Sequence, residues 1–451
     1  MKITQLHPQV LKLCLPWVVA FLILNFPIYE DGDTNAYSRY AMMRAISMDQ
    51  TLNINDYKDW TMDWALSLNG NYYSNKAPGP ALVATPLFWL IDQAKRIESD
   101  TFQSNYRDLK TIGYEHKVII PLLFQMIPLC ILVMLLGQVL REEGLSAIPV
   151  LLAIVVLLFG NTSALFMTTW FGHGLTAVFI LAALYFFLKK DTFLISLFIG
   201  LAISCDYSVA LLAFTLPVLY KSDKWLFGRK EILRLLGGLT LPGAMLLFYH
   251  YQAFSNPFYI PNMFNNPEFN NASGSQFHIP DPLKFIQLLF GVERGVLFTQ
   301  PWVLVIVGWA FVKIKSVHTI TSVGILSLLL LLILNASFEG WHGGSTPGPR
   351  YLSWSFPILA IASALEYNKM NKLVRYALFA AVVYSLLFGG LVYATTILVF
   401  EHKPIIVWLI NYFEINPNWL RVAFYSIGVL IAVFISTRGL RQNSVSRNSG
   451  T

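Results

Sequence analysis

Three carboxylates stand together in Glu30-Asp31-Gly32-Asp33, directly after the first long apolar segment, Leu11 to Ile28. Ionised acids at the point where a chain leaves lipid are costly unless they face water, a cation or a reacting group. Gly32 lets the backbone turn tightly, so Asp31 and Asp33 can aim to one side. Such a pair can bind a divalent cation (Mg or Mn), or one member can act as a general base. The same two residues can also serve simply as caps, in water, for the helix that follows.

Three further constellations share this chemical character. Asn71-Tyr72-Tyr73-Ser74-Asn75-Lys76-Ala77-Pro78-Gly79-Pro80 sets a cation beside a turn and a helix start, which suits an anionic lipid headgroup or a snorkelling lysine. Trp170-Phe171-Gly172-His173-Gly174 offers a histidine for a hydrogen bond, a metal, a phosphate or a plain structural role. Gly340-Trp341-His342-Gly343-Gly344-Ser345-Thr346-Pro347-Gly348-Pro349-Arg350-Tyr351 is too rich in Gly and Pro for helix or strand. Its amides and Arg350 can cradle a phosphate, with Trp341 stacking on a sugar; the plain alternative is a tight turn with Arg350 paired to Glu339. Asp206 is an acid within an apolar hairpin, and its expected place is the outer turn. Glu293-Arg294 reads as a surface pair or a phosphate contact. The stretch from Gln252 to Pro282 reads as a flexible loop or a lid on the acceptor side.

The elements that must hold these residues are membrane helices. Hydrophobic residues make up 55% of the 451 residues and charged ones 13%, against about 25% charged in soluble domains. The chain therefore reads as an all-α polytopic integral membrane protein with about twelve transmembrane helices. The apolar segments are Leu11 to Ile28, Val118 to Leu140, Ala147 to Gly160, Gly174 to Leu188, Phe193 to Ser204, Val209 to Tyr220, Leu233 to Tyr249, Trp302 to Val312, Ile320 to Leu334, Leu352 to Leu365, Tyr376 to Phe400 and Val422 to Ser436. Several fall short of the roughly 17 residues that a crossing needs. Basic residues such as Lys189-Lys190, Lys221, Lys224, Arg229-Lys230, Lys313, Lys315, Lys369, Lys372, Arg438 and Arg441 crowd one set of short loops. The positive-inside rule then sets both termini in the cytoplasm and the motifs outside.

The expected organisation is one membrane-embedded domain, 1–451. It carries a first periplasmic loop at 29–116, further periplasmic loops at 250–298 and 336–351, and no separate soluble C-terminal domain. In the first loop, Thr34 to Met48 can form a helix with Tyr37, Tyr40, Ala41, Arg44 and Ala45 at helical spacing. Ala81 to Ile91, ended by Asp92, is too short to span and is expected to lie flat in the interface. Cys14, Cys130 and Cys205 read as buried thiols. The net charge of +7 is spread over inter-span loops, which argues against nucleic acid as a partner. The first span lacks a small-residue cleavage site and reads as a retained anchor.

Taken together, these pieces resemble the membrane-embedded C-type (GT-C) glycosyltransferases that use polyprenyl-phosphate sugars, especially the aminoarabinose transferase and protein O-mannosyltransferase kinds. The likeness is most specific over the first 95 residues, where acidic motif, Tyr-Ala helix, Lys76-Ala77-Pro78 and interfacial helix follow in order. It implies Asp33 as the catalytic carboxylate with Asp31 as its partner, a metal at these two if one is used, and no other certain cofactor. It further implies Lys76 and Arg350 on the donor phosphate; His173 is expected to join them there, and Tyr37, Tyr73, Trp341 and His342 are expected toward the substrate and acceptor. The family often has adjacent acids and a second acid where His173 stands, so metal dependence stays open. Without an outer C-terminal domain, a glycolipid or glycan acceptor is expected. The alternatives are a lipid-linked oligosaccharide ligase or polymerase, and a transporter or flippase without transfer chemistry.

The topology has a direct check. A cysteine placed by Asn256→Cys should react with a membrane-impermeant maleimide in intact cells, whereas Asn368→Cys should react only after permeabilisation. The opposite pattern would invert the orientation.

Overall fold

The computed structural model describes residues 7–25, 34–98, 105–269, 276–344, 346–395, 403–416, 418–419, 421–423, 425–430 and 432–433. The motif from Glu30 to Asp33, with both Asp31 and Asp33, lies outside them. Shorter turns aside, the helices are α1 Pro8–Asn25, α2 Thr34–Asp49, α3 Gly79–Glu98, α4 Tyr114–Glu142, α5 Ala147–Phe159, α6 Thr162–Thr168, α7 Gly172–Leu188, α8 Thr192–Cys205, α9 Tyr207–Ser222, α10 Arg229–Phe254, α11 Pro282–Phe290, α12 Trp302–Val312, α13 Thr319–Ser337, α14 Ser355–Tyr367, α15 Lys372–Ala394 and α16 Ile405–Ile415. A further apolar helix runs Arg421–Leu430.

Among the described residues, α1, α4, α10, α13 and α15 are long and apolar enough to cross a bilayer, and α5 with α6 makes a sixth if the 44° bend is taken as one broken span. The chain is a multi-pass membrane protein. Each of the twelve apolar segments overlaps a helix, but α7, α8, α9, α12 and α14 have only 10 to 17 residues. About twelve crossings are thus matched in position and not in length. Hydropathy registers an apolar core helix and a spanning one alike. Helix α16 is an addition, lying between the last two apolar segments.

The α5–α6 break shows how a buried bend is satisfied. Asn161 accepts from the Ala164 amide at 3.2 Å and donates to the Val156 and Leu157 carbonyls at 2.6 and 3.2 Å. It therefore serves orphan groups at the end of one helix and the start of the next. Gln300 bonds both the amide and the hydroxyl of Thr162, and the Trp302 indole donates to the Gly160 carbonyl at 2.7 Å.

The first loop has its own core, in which Tyr40, Met43, Trp60, Phe88, Trp170 and Phe254 pack together. The expected helix from Thr34 is α2. The expected interfacial helix is longer than the sequence suggests, because α3 runs through Asp92 to Glu98. Asp92 is not a helix end. It is buried and binds Arg44 (Nε–Oδ2 3.0 Å) and His116 (Nε2–Oδ1 2.9 Å), all three side chains fully buried. Arg44 also donates to the Tyr106 carbonyl and to Thr111 Oγ1, and its guanidinium lies over the rings of Trp60 and Phe88. On the other face of α3, Trp89, Leu90 and Ile97 are exposed, as an interfacial helix requires.

The three cysteines are free and buried, as their apolar settings suggest. Asp206 divides the apolar hairpin into two segments, ending α8 and capping the 3-10 turns Tyr207–Thr215 that begin α9 through a bond from the Ser208 amide.

Removing one member of a buried ion pair leaves the other uncompensated, so Asp92→Ala should lower stability by about 3–5 kcal/mol. Lys95 pairs with half-exposed Glu115, so Lys95→Ala should cost under about 1 kcal/mol. Thermal unfolding in detergent compares the two, and equal losses would contradict the assigned role of the Arg44–Asp92 pair.

Candidate functional site

A short hairpin sets the first part of the site. Strands β1 Trp64–Leu66 and β2 Tyr72–Ser74 pair antiparallel with Trp64 opposite Ser74. That register carries Asp63, one residue before β1, across from Asn75, one residue after β2. The Asn75 amide donates to the Asp63 carbonyl at 3.3 Å, and Lys76 Nζ reaches Asp63 Oδ1 at 2.9 Å. Thr34 Oγ1, at the first residue of α2, donates to Asp63 Oδ2 at 3.1 Å. Ser38 donates to the Asp63 carbonyl and shares a hydrogen bond with Ser74. Burial pushes the Asp63 carboxyl up, but Lys76, then Arg350 and the Thr34 hydroxyl, outweigh it and hold the pKa below the usual carboxylate range. The pair's contribution to stability is therefore complete at neutral pH and lost as pH falls through that lowered pKa.

Glycines bring the remaining parts close. A Cβ on Gly79 would lie 2.4–2.6 Å from Ser204, so the start of α3 presses on the end of α8. A Cβ on Gly172 would meet the Cys205 carbonyl at 2.7 Å and Arg39 Nη2 at 2.9 Å, and one on Gly174 would meet Gln125 Oε1 at 2.1 Å and the Phe166 carbonyl at 2.7 Å. The Gly-His-Gly spacing is thus a steric demand. Between those glycines, His173 Nδ1 stands 3.4 Å from Asp206 Oδ2. Gln125 lies in a π-helical turn of α4, Leu122–Met126, and donates to the Thr169 carbonyl at 3.1 Å.

The late glycine-rich loop delivers Arg350. Gly343 and Gly344 adopt φ of +76° and +65°, a conformation that favours glycine. Contrary to the expected amide cradle, these amides are already used: Gly343 N donates to Gly340 O, and Gly344 N to His342 Nδ1. Arg294 donates to the His342 and Gly344 carbonyls, so it holds the loop from behind, and the charge of Glu293 acts on it as well. Nor does Arg350 pair with Glu339, which meets His278 and Lys284. Arg350 Nη2 bonds the Tyr351 hydroxyl at 3.1 Å, and the guanidinium lies over the rings of Phe171 and Tyr351.

These elements enclose a cavity of about 450 Å³ whose lining includes Lys76, His173 and Arg350, the three residues expected on a donor phosphate. Asp206, Asn35 and Arg39 line it too. Tyr37, Tyr73, Trp341 and His342 are not among its lining residues. Lys117 lies over the Tyr37 ring, Tyr73 is buried against Phe254, Trp341 packs on the membrane core, and His342 is engaged within its loop. A second cavity of about 450 Å³, lined almost wholly by apolar side chains from α7, α8, α9 and α10, adjoins the first, and Ala210 lines both.

Sequence reasoning missed Asp63, Arg39 and Asn35. The last two carried a faint signal, since they stand at i and i+4 on α2, where the Arg39 guanidinium bonds the Asn35 carbonyl and side-chain oxygens. A cation held by Asp31 and Asp33 would bind outside the described residues. Among those described, no three His, Cys, Asp or Glu side chains gather closely enough to hold a metal ion.

Neither a protein-family model nor a curated protein sequence matches the chain. Among solved structures it is similar to the apo-form crystal structure of the Archaeoglobus fulgidus oligosaccharyltransferase, with 11% identity and a TM-score of 0.48. The match covers 98% of this chain and 57% of that one, so the chain spans little more than half of that protein's length.

The steric reading of the Gly-His-Gly turn predicts that Gly174→Ala costs about 1–3 kcal/mol through overpacking. Gly228→Ala, whose new Cβ meets nothing within 4 Å, should leave the unfolding temperature nearly unchanged. Thermal unfolding of both in detergent decides it.

Proposed function

We propose that the chain is an inverting glycosyltransferase taking a sugar from a polyprenyl phosphate such as undecaprenyl phosphate. The sugar passes to a cell-envelope glycolipid or glycan at the periplasmic face of a bacterial inner membrane. The observation that carries this reading is the shared wall at Ala210, where a cavity bearing Lys76, Arg39, His173 and Arg350 adjoins an almost wholly apolar one. A lipid phosphate has matching halves, an anion and a hydrocarbon tail. A soluble nucleotide sugar would leave the apolar cavity unused.

The chemistry follows from the charges. An acceptor hydroxyl attacks the anomeric carbon from the face opposite the phosphate, and the bonding pair departs onto the phosphate oxygen. Fixed cations aimed where that charge develops lower the barrier, and Lys76, Arg350 and Arg39 are the candidates. The acceptor proton passes to a carboxylate acting as general base. Asp33 is that candidate from sequence, with Asp31 beside it; both lie outside the described residues. Thr34, next in the chain, is bonded to Asp63, whose partner Lys76 lines the cavity. No step here is routed through a metal.

The test is transfer from a polyprenyl-phosphate sugar in membranes. Asp33→Asn should lower turnover by about 10²–10⁴-fold, the usual contribution of a general base. Lys76→Ala and Arg350→Ala should each lose about 10²–10³-fold, the usual cost of removing one charge-stabilising group. Transfer at the wild-type rate by Asp33→Asn would remove that residue from the mechanism. Unchanged rates in both cation variants would remove the cavity from it.

A further inference from the structure

Lys76 does not enter the cavity as a bare cation. Its ammonium is 2.9 Å from Asp63 Oδ1, and both side chains are largely buried. Asp63 is not itself among the residues that line the cavity, so it acts on a ligand there from behind the cations it faces, Lys76 in direct contact and Arg350 at longer range. Its other hydrogen-bond partners are neutral: the Thr34 hydroxyl at 3.1 Å and the Asn75 amide at 3.5 Å on the side chain, with Ser38 on the carbonyl. An asparagine of the same shape can keep the first of these contacts and the backbone bonds. Among the described partners, the negative charge serves the cations.

That charge matters because the proposed reaction changes the charge of its phosphate. The donor is a phosphodiester carrying one negative charge. Transfer breaks the bond between the anomeric carbon and the phosphate oxygen and leaves a monoester carrying about −1.5 to −2 at pH 7. A cavity of cations alone would grip this product harder than the donor it bound, since the attraction scales with the product of the charges. A carboxylate behind Lys76 offsets part of that gain.

Building on the carrier reading, we propose that Asp63 is a positioning residue that tunes Lys76 against the dianionic product, so that polyprenyl phosphate is released after transfer. It holds the ammonium in place and at the same time moderates its field. The held-down pKa of Asp63 keeps the carboxylate ionised throughout the neutral range.

The experiment is equilibrium binding to the full chain in detergent, with two probes: a short-chain polyprenyl monophosphate and its O-methyl diester. The wild type should bind both within about threefold, and Asp63→Asn should bind the monophosphate on the order of tenfold more tightly, with a smaller gain for the diester. Adding Lys76→Ala to Asp63→Asn should abolish the gain. Loss of folding or of cavity shape would weaken both probes together, so tighter binding of the monoester alone is not a structural side effect. Equal or weaker monoester binding by Asp63→Asn would overturn the inference. So would a wild type that prefers the monoester by about tenfold or more, a result that needs no variant. If the wild type binds neither probe, the carrier reading falls as well, which separates the two failures.

Discussion

The arrangement around the cavity rests on a fully buried ion pair, Arg44 with Asp92, closed by His116. Two charges taken out of water repay their desolvation only when their geometry is fixed and their remaining valences are filled. Here the filling comes from the Tyr106 carbonyl, Thr111 and two aromatic faces, so α2, α3, the connection after α3 and the start of α4 are constrained together. Helix α2 carries Arg39 and Asn35 to the cavity about one and a half and two and a half turns before Arg44. The start of α3 presses Gly79 against the end of α8, next to Asp206. One electrostatic anchor therefore fixes residues that reach the cavity from three directions.

Around that anchor the site is assembled by close approach. The glycines at 79, 172 and 174 each stand where a methyl group would collide with a backbone carbonyl or a polar side chain. Such contacts leave little room for a neighbour to yield. The late loop works differently. The amides of Gly343 and Gly344 are spent within the loop and Arg294 ties its carbonyls, so these residues contribute rigidity behind Arg350.

Much of this was legible in the sequence where the signal was local. Thr34 to Met48 announced α2, Asp206 announced a turn, and Lys76, His173 and Arg350 were recognisable by their turn-rich settings. The missing pieces were those decided by partners far along the chain. Asp63 gains its meaning from a three-residue hairpin register that brings Lys76 to it. Asp92 looked like a helix end because an acid in an apolar run usually is one, and only Arg44 and His116 make its burial tolerable. Tyr73 and Trp341 suggest a substrate by type, yet large aromatics near an interface also pack inward: Tyr73 is buried in the first-loop core and Trp341 is partly buried against the membrane core. Crossing numbers are ambiguous for a related reason: a helix such as α14, buried along nearly its whole length, is apolar because protein surrounds it, whether or not it spans lipid.

The small side chain shared by the two cavities has a kinetic meaning under the proposed function. A carrier whose phosphate occupies the basic cavity and whose tail lies on the apolar side never needs to leave the bilayer, so its search is two-dimensional and its supply depends on how many carriers sit in the membrane. Free phosphate in the surrounding fluid has the headgroup without the tail, and it forfeits the apolar half of the binding energy.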